Sequence, residues 1–164
     1  MILTIDGVAG AGKTTLAAFI SVEFQDRFSI QVVHMDDLYD GWDEPLGASL
    51  TQKLIQIATA HQEQRPFHGQ RYNWQSAARG EGFVITPVDL LILEGVGSGQ
   101  RLIREFVKTK IWVELKPIIG LQRVLERDGV QIESQMMGFL EQQKKHFLEE
   151  GTREAADFHL NGEH

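Results

Sequence analysis

Ile2 to Thr15 read ILTIDGVAGAGKTT, a short apolar run followed by a glycine-rich loop and a Lys-Thr-Thr sequence. Gly7, Gly12, Lys13 and Thr14 occupy the fixed positions of the pattern G-x-x-x-x-G-K-[ST]. Glycines let such a loop curl so that its backbone N–H groups point at phosphate oxygens, and the positive end of the following helix adds to the same anion site. The stretch therefore predicts a strand, a phosphate-binding loop and a helix that together bind a nucleoside triphosphate.

The residues expected to bind the nucleotide form one continuous segment: Gly7, Val8, Ala9, Gly10, Ala11, Gly12, Lys13, Thr14 and Thr15. In this pattern the lysine reaches the β- and γ-phosphates, and the threonine hydroxyl ligates Mg²⁺. ATP and Mg²⁺ are therefore the expected cofactors. The alternative, a glycine-rich turn with no ligand, is disfavoured because the motif lies in the strand–loop–helix context that it requires.

Length and composition limit the rest of the chain. Its 164 residues suit one domain, and a net charge of −7 argues against nucleic acid or an anionic membrane as a partner. The chain has no cysteine, which excludes disulfides and thiolate metal sites and fits a reducing interior. We see no secretory signal pattern and no long apolar run, so the expectation is a cytoplasmic protein with a small-molecule acceptor as its partner. The oligomeric state is left open.

Alternating apolar strands and amphipathic helices predict a three-layer α/β fold, with a central parallel sheet of about five strands and helices on both faces. Residues 1–164 are expected to form a single domain. Glycines, prolines and aromatic residues at about 64–87 predict an insert beside the sheet, and the break at 128–129 predicts a mobile lid at about 127–134. Residues 100–108 are expected to form a short helix.

Three carboxylates follow predicted strands and should meet at one edge of the sheet. Asp36 and Asp37 come after the second strand, and Glu94 follows four apolar residues. Ligands bind at the carboxyl ends of the strands in an open parallel sheet. We expect Asp36 to accept the proton of an acceptor hydroxyl and Glu94, with Thr14, to hold the metal. The alternative is that the aspartates cap a turn and that Glu94 is a plain charge at a strand end.

Two arginines, four residues apart, share one face of a helix just before the predicted lid. Arg123 and Arg127 are candidates for stabilising the transferred phosphoryl group, although Arg123 could instead pair with a glutamate on a solvated face. Arg153 is a weaker candidate. The expected acceptor-binding residues are two acids, several aromatic side chains and one cation, which together favour a ring-containing acceptor. They are Asp36, Asp37, Tyr39, Trp42, Arg71, Tyr72 and Trp74. We assign no metal to the six histidines.

These residues resemble the uridine kinase family, within the phosphoribulokinase/uridine kinase group of P-loop kinases. The matching pieces are Asp6-Gly7, Asp36-Asp37-Leu38-Tyr39, Tyr72-Asn73-Trp74, Leu93-Glu94-Gly95 and Arg127-Asp128. The resemblance implies that Asp36 is the catalytic base and that Arg123 and Arg127 are lid arginines. It also implies that Tyr72 and Trp74 line the pocket for the nucleobase of the acceptor. Catalytic roles would then belong to Lys13, Asp36, Arg123 and Arg127.

The chain departs from that family at two places. Gln75-Ser76-Ala77 replaces the family's Asp-His-Pro, and Gly129-Val130-Gln131 replaces its Arg-Gly-Arg lid segment. The aspartate-rich loop is also similar to that of nicotinamide riboside kinases. Kinases of the pantothenate, gluconate or shikimate type remain alternatives, as does a P-loop protein that binds ATP without transferring phosphate. A GTPase is disfavoured because neither Asn-Lys-x-Asp nor Asp-x-x-Gly occurs.

Overall fold

A computed structural model describes residues 1–163 of the chain. The helices and strands, in chain order, are β1 (Ile2–Gly7), α1 (Lys13–Phe24), β2 (Ile30–His34), α2 (Met35–Leu38), α3 (Ala48–Gln62), β3 (Phe67–Asn73), β4 (Ala78–Ile85), β5 (Leu90–Glu94), β6 (Thr109–Glu114), α4 (Pro117–Asp128), α5 (Glu133–Glu150) and β7 (Phe158–Asn161). Single 3-10 turns lie at Arg101–Ile103 and Val130–Ile132. No helix within the described residues is long and apolar enough to span a membrane.

The central sheet has five parallel strands in the order β2-β5-β1-β6-β7. This confirms the prediction of a parallel sheet of about five strands with helices packed on it. Every residue of β5 is buried because helices cover both faces of the sheet. Leu91 and Leu93 pack in a cluster with Leu54 of α3, whereas Ile92 packs in a second cluster with Ala17 of α1.

The segment at 64–87, predicted as an insert, contains an antiparallel hairpin of β3 and β4. The hairpin forms a separate two-stranded sheet, and its register shifts between Gln70 and Tyr72. Contacts with α2 and α3 hold it beside the sheet end at which β2 finishes. Its turn therefore comes close to the residues that follow β2.

One predicted element is wrong. The expected helix at 100–108 is only the 3-10 turn at Arg101–Ile103, followed by two further turns. Phe106 N–H donates to the carbonyl of Ile103, and Lys108 N–H donates to the carbonyl of Ile2 in β1. Because Lys108 leads directly into β6 beside β1, the backbone must become extended there and cannot continue as a helix.

Candidate functional site

The phosphate-binding loop lies between β1 and α1, at the carboxyl edge of the sheet. Gly10 (φ 77°) and Gly12 (φ 91°) take left-handed backbone conformations that other residues rarely adopt. No side chain caps α1, and a Cβ on Gly12 would meet no atom within 4 Å. The first-turn N–H groups of α1 have no intrahelical partners, so they remain available to an anion in the open space beside Gly12.

A second glycine contact fixes the loop against α4. A Cβ on Gly120 would lie 2.1 Å from the carbonyl oxygen of Ala9, and a Cβ on Gly10 would lie 2.4 Å from the carbonyl oxygen of Gly120. Loop and helix therefore meet backbone to backbone, with no room for a side chain at either position. The first turns of α4 support the loop from one side.

Lys13 folds across its own loop. Its Nζ donates to the carbonyl oxygens of Gly7 at 2.9 Å and Val8 at 2.8 Å, and the side chain is buried. Burial lowers the pKa of Lys13, while the nearby carboxylates of Asp6 and Glu94 act in the opposite direction. The amine is thus held at the loop by weak carbonyl acceptors that a phosphate oxygen can replace.

Asp6 is a buried carboxylate that joins the phosphate loop to the segment after β5. Its oxygens accept hydrogen bonds from the backbone N–H groups of Gly7 at 2.7 Å, Gly97 at 3.0 Å and Gly99 at 2.8 Å. Burial raises the pKa of Asp6, and two of these backbone hydrogen bonds, from Gly99 and Gly7, oppose that rise. Its role in the described structure is to hold two loops together.

Glu94 ends β5 and forms a polar contact with two neighbouring elements. The Thr14 hydroxyl donates to Glu94 Oε1 at 3.0 Å, and His34 Nδ1 lies 2.5 Å from the same oxygen. The hydrogen bond to Glu94 raises the pKa of His34. The two metal candidates, Thr14 and Glu94, are therefore adjacent. The contact of His34 was not predicted, because it depends on β2 pairing with β5 in a register that sets His34 beside Glu94.

The two aspartates after β2 lie on α2, a single helical turn. Asp36 lines the cavity described below, and its carboxylate makes no hydrogen bond within residues 1–163. Burial raises the pKa of Asp36, and the negative charge of Glu94 raises it further. Asp37 instead forms an ion pair with Arg71 at 3.1 Å. A desolvated carboxylate with a raised pKa is a better proton acceptor than an exposed one.

The predicted arginines lie on the cavity wall but are engaged. Arg123 Nη1 donates to the carbonyl oxygens of Gly162 at 2.7 Å and Gly10 at 3.4 Å. Arg127 makes two hydrogen bonds to the carboxylate of Asp128, at 2.7 and 2.6 Å. The segment 127–134 contains the end of α4, a 3-10 turn and the start of α5, and its movement as a lid stays a prediction.

Some of the predicted acceptor-binding residues line the cavity and others do not. Tyr39, Trp42 and Trp74 line the cavity, and the Tyr39 hydroxyl donates to the carbonyl of Val96 at 2.7 Å. Arg71 and Tyr72 stand behind that lining, with Arg71 stacked 5.7 Å from the centre of the Phe83 ring. Arg153 pairs with Glu114 at 2.6 Å, in a shallow depression separate from the cavity.

Sequence reasoning missed a contact from α5 to the phosphate loop. The buried Gln143 side chain accepts a hydrogen bond from Ala9 N–H at 2.8 Å. The neighbouring Gln142 donates to the carbonyl of Trp42 at 3.2 Å. A glutamine within a polar helix carries no local signal of such a contact, because the contact depends on where α5 packs.

The phosphate loop and parts of α2, α4 and α5 border one cavity of about 800 Å³. Its lining comprises Ala9, Gly10, Gly12, Lys13, Thr14, Thr15, Asp36, Asp37, Tyr39, Trp42, Trp74, Gln75, Glu94, Gly95, Val96, Arg123, Val124, Arg127, Asp128, Ile132, Met136 and Phe139. Phosphate loop, carboxylates, arginines and aromatic side chains thus share one space. Among residues 1–163, no three His, Cys, Asp or Glu side chains form a cluster that could enclose a metal ion.

Comparisons with known proteins find kinases among the relatives of this chain. No protein-family model matches the chain. A uridine kinase of Lactobacillus johnsonii is 28% identical, over 78% of this chain and 67% of the relative. A cytidylate kinase of Methanococcoides burtonii is 23% identical, over 97% of this chain and 81% of the relative. The chain is therefore similar in sequence to uridine kinases and other P-loop kinases.

The fold of this chain is also found in solved structures. A possible uridine kinase from Bacillus stearothermophilus superposes with a TM-score of 0.72 at 18% identity, over 98% of this chain and 88% of the other. This similarity extends across the sheet and its helices. At such a low identity it bears on the fold and leaves the acceptor to be inferred from the cavity.

Proposed function

We propose that this P-loop kinase transfers the γ-phosphate of ATP to a hydroxyl group of a nucleoside-like, ring-containing small molecule. The observation that carries the proposal is the single cavity in which the phosphate loop faces Asp36 and an aromatic wall. Phosphoryl transfer requires a phosphate cradle, positive charge around the transferred group and a residue that receives the acceptor's proton. The cavity wall contains a candidate group for each of these three requirements.

The donor half of the cavity suits ATP with Mg²⁺. The open space at Gly12 and the uncapped start of α1 offer N–H donors to phosphate oxygens, and Lys13 can exchange its carbonyl partners for them. Thr14 and Glu94 present adjacent oxygens, which are the ligand type that Mg²⁺ prefers. When bound there, Mg²⁺ supplies positive charge against the phosphates.

The acceptor half of the cavity contains the candidate catalytic base, Asp36. Asp36 has a free carboxylate on the cavity wall and a pKa raised by burial, so it can hydrogen-bond an acceptor hydroxyl and receive its proton. The acceptor oxygen then forms a bond to the γ-phosphorus as the bond between that phosphorus and the β–γ bridging oxygen breaks. The products are the phosphorylated acceptor and ADP, and the proton ends on Asp36.

The remaining candidate residues would support this transfer step. Arg127 and Arg123 border the donor half and would stabilise charge on the transferred group, once Arg127 leaves Asp128. Tyr39, Trp42 and Trp74 would contact the ring of the acceptor. Arg71 and Tyr72 would act from behind, by holding Asp37 and Trp74 in place through an ion pair and a ring contact.

The test is ADP release from ATP, measured over a panel of nucleosides, ribosyl-nicotinamide, sugar acids and pantothenate. We expect at least one ring-containing acceptor to raise the rate. Asp36→Asn should retain ATP binding and lose transfer by orders of magnitude, and Lys13→Ala should lose transfer as well. Asp157→Asn is the matched control, because Asp157 pairs with Lys110 outside the cavity. A rate that stays flat across the panel would favour an ATP-binding protein without small-molecule transfer.

A further inference from the structure

Four aromatic side chains at the acceptor end of the cavity each contact two others of the set. The ring centres of Tyr39 and Trp74 lie 6.5 Å apart, those of Trp74 and Trp42 4.9 Å, those of Trp42 and Phe139 6.5 Å, and those of Phe139 and Tyr39 5.9 Å. The planes of neighbouring rings are inclined by 83°, 61°, 87° and 55° respectively. Tyr39 and Phe139 are nearly buried, at 2% and 7% exposure, whereas Trp74 is 37% exposed, so a ligand in the cavity can most readily reach the Trp74 ring. We call this set the aromatic corner.

The aromatic corner is fixed by hydrogen bonds from its polar atoms. Trp74 Nε1 donates to the backbone carbonyl of Asp36 at 3.3 Å, and the Tyr39 hydroxyl is bound to Val96. Gln142 of α5 holds the backbone of Trp42. The polar atoms of Tyr39 and Trp74 are therefore engaged, and the more exposed Trp74 offers a ligand mainly its π face. The negative face of an aromatic ring attracts cations.

Charge is unevenly distributed along the cavity wall. Its basic side chains, Lys13, Arg123 and Arg127, all belong to the phosphate loop, α1 or α4, which is the donor half. The other lining residues from α2, the loop after it, the hairpin turn and α5 include the acids Asp36 and Asp37 and no lysine or arginine. The charges of Lys13 and Arg127 reach Asp36 from the donor half. Arg71 approaches from behind, where it is paired with Asp37.

We propose that the acceptor carries an organic cation, such as a quaternary ammonium or pyridinium group, which binds in the aromatic corner while its hydroxyl faces Asp36. An aromatic face and the neighbouring Asp36 carboxylate both favour a cation. The elements that carry the aromatic corner contribute no basic side chain to the cavity lining for an acid group of the kind that gluconate, shikimate and pantothenate carry. The proposal rests on the proposed function only for the fate of the hydroxyl. Binding of the cation requires no phosphoryl transfer.

The experiment compares cations with neutral alcohols of the same shape by titration calorimetry. The first pair is choline and the alcohol in which carbon replaces its quaternary nitrogen. The second pair is N-(hydroxyethyl)pyridinium and phenylethanol, which are both flat. At least one cation should bind roughly tenfold or more tightly than its neutral partner. Equal or weaker binding of both cations, including no detectable binding, overturns the proposal.

Variants at Trp74 test whether the preference arises in the aromatic corner. Trp74→Leu should abolish most of the preference for the cation, whereas Trp74→Phe should retain much of it because a ring face remains. A preference that survives Trp74→Leu unchanged would place the cation elsewhere and overturn the assignment. Displacement of a fluorescent ATP analogue by ATP is measured in parallel. Normal ATP binding without cation preference removes this inference alone, whereas absence of ATP binding removes the proposed function.

Discussion

Replacing Gly120 with alanine should displace the phosphate loop, even though Gly120 itself does not line the cavity. The added Cβ would lie 2.1 Å from the carbonyl oxygen of Ala9, where ordinary contact begins at 3.4 Å. The loop and α4 would therefore have to separate by about 1.3 Å, since both contacting groups are too constrained to rotate away. Overpacking of this kind costs about 1–3 kcal/mol of folding stability, partly offset by the better helix propensity of alanine.

The larger effect should be on nucleotide binding. A displacement of about 1.3 Å exceeds the tolerance of a hydrogen bond, so at least one backbone N–H would lose its phosphate oxygen. A hydrogen bond to a charged group contributes about 1.5–3 kcal/mol, which corresponds to a roughly 10- to 100-fold weaker affinity for ATP. The measurements are the dissociation constant of ATP, by displacement of a fluorescent analogue, and the melting temperature Tm.

Gly138→Ala provides the matched control. Gly138 is exposed within α5, and a Cβ there would meet no atom within 4 Å. Helix propensity alone should then stabilise the protein by about 1 kcal/mol and raise Tm by roughly 2–4 °C, with ATP affinity unchanged. Wild-type ATP affinity in Gly120→Ala would refute the reasoning, because it would mean that the loop does not depend on its contact with α4.

Three further predictions concern other parts of the site. Gln143→Met should leave the buried Ala9 N–H without its acceptor, at a cost of about 1–3 kcal/mol, and weaken ATP binding, whereas Gln142→Met should leave ATP affinity unchanged; equal affinities would contradict this. Because the pKa of Asp36 is raised, kcat/KM should fall on acidification at a pH above the ordinary aspartate value of 3.8, and activity that persists down to 3.8 would speak against Asp36 as the base. The raised pKa of His34 means that the native state binds its proton more tightly than the unfolded state does. Stability from this group is therefore complete below pH 6.5 and lost as the pH rises through the higher native pKa, so the fall in Tm over that interval should be smaller in His34→Gln.

Much of the fold could be predicted because its signals are local. The phosphate-loop pattern is contiguous, so strand β1, the loop and α1 follow from one stretch of sequence. The run of apolar residues before Glu94 identifies a strand buried on both faces, and the proline and glycine that bracket 117–128 mark the ends of α4. The rule that ligands bind at the carboxyl ends of parallel strands then brought Asp36 and Glu94 to the loop.

Only the tertiary structure decided which distant side chains meet. The pairing of β2 with β5 sets His34 against Glu94, and the packing of α5 delivers Gln143 to the loop and Phe139 to the aromatic corner. The irregular hairpin brings Trp74 to the cavity and leaves its strand neighbours behind the wall. Periodicity states which face of an element is apolar, but it carries no information about the partner of that face. The sequence by itself thus determined where phosphate binds, whereas long-range packing determined the shape and charge of the space for the acceptor.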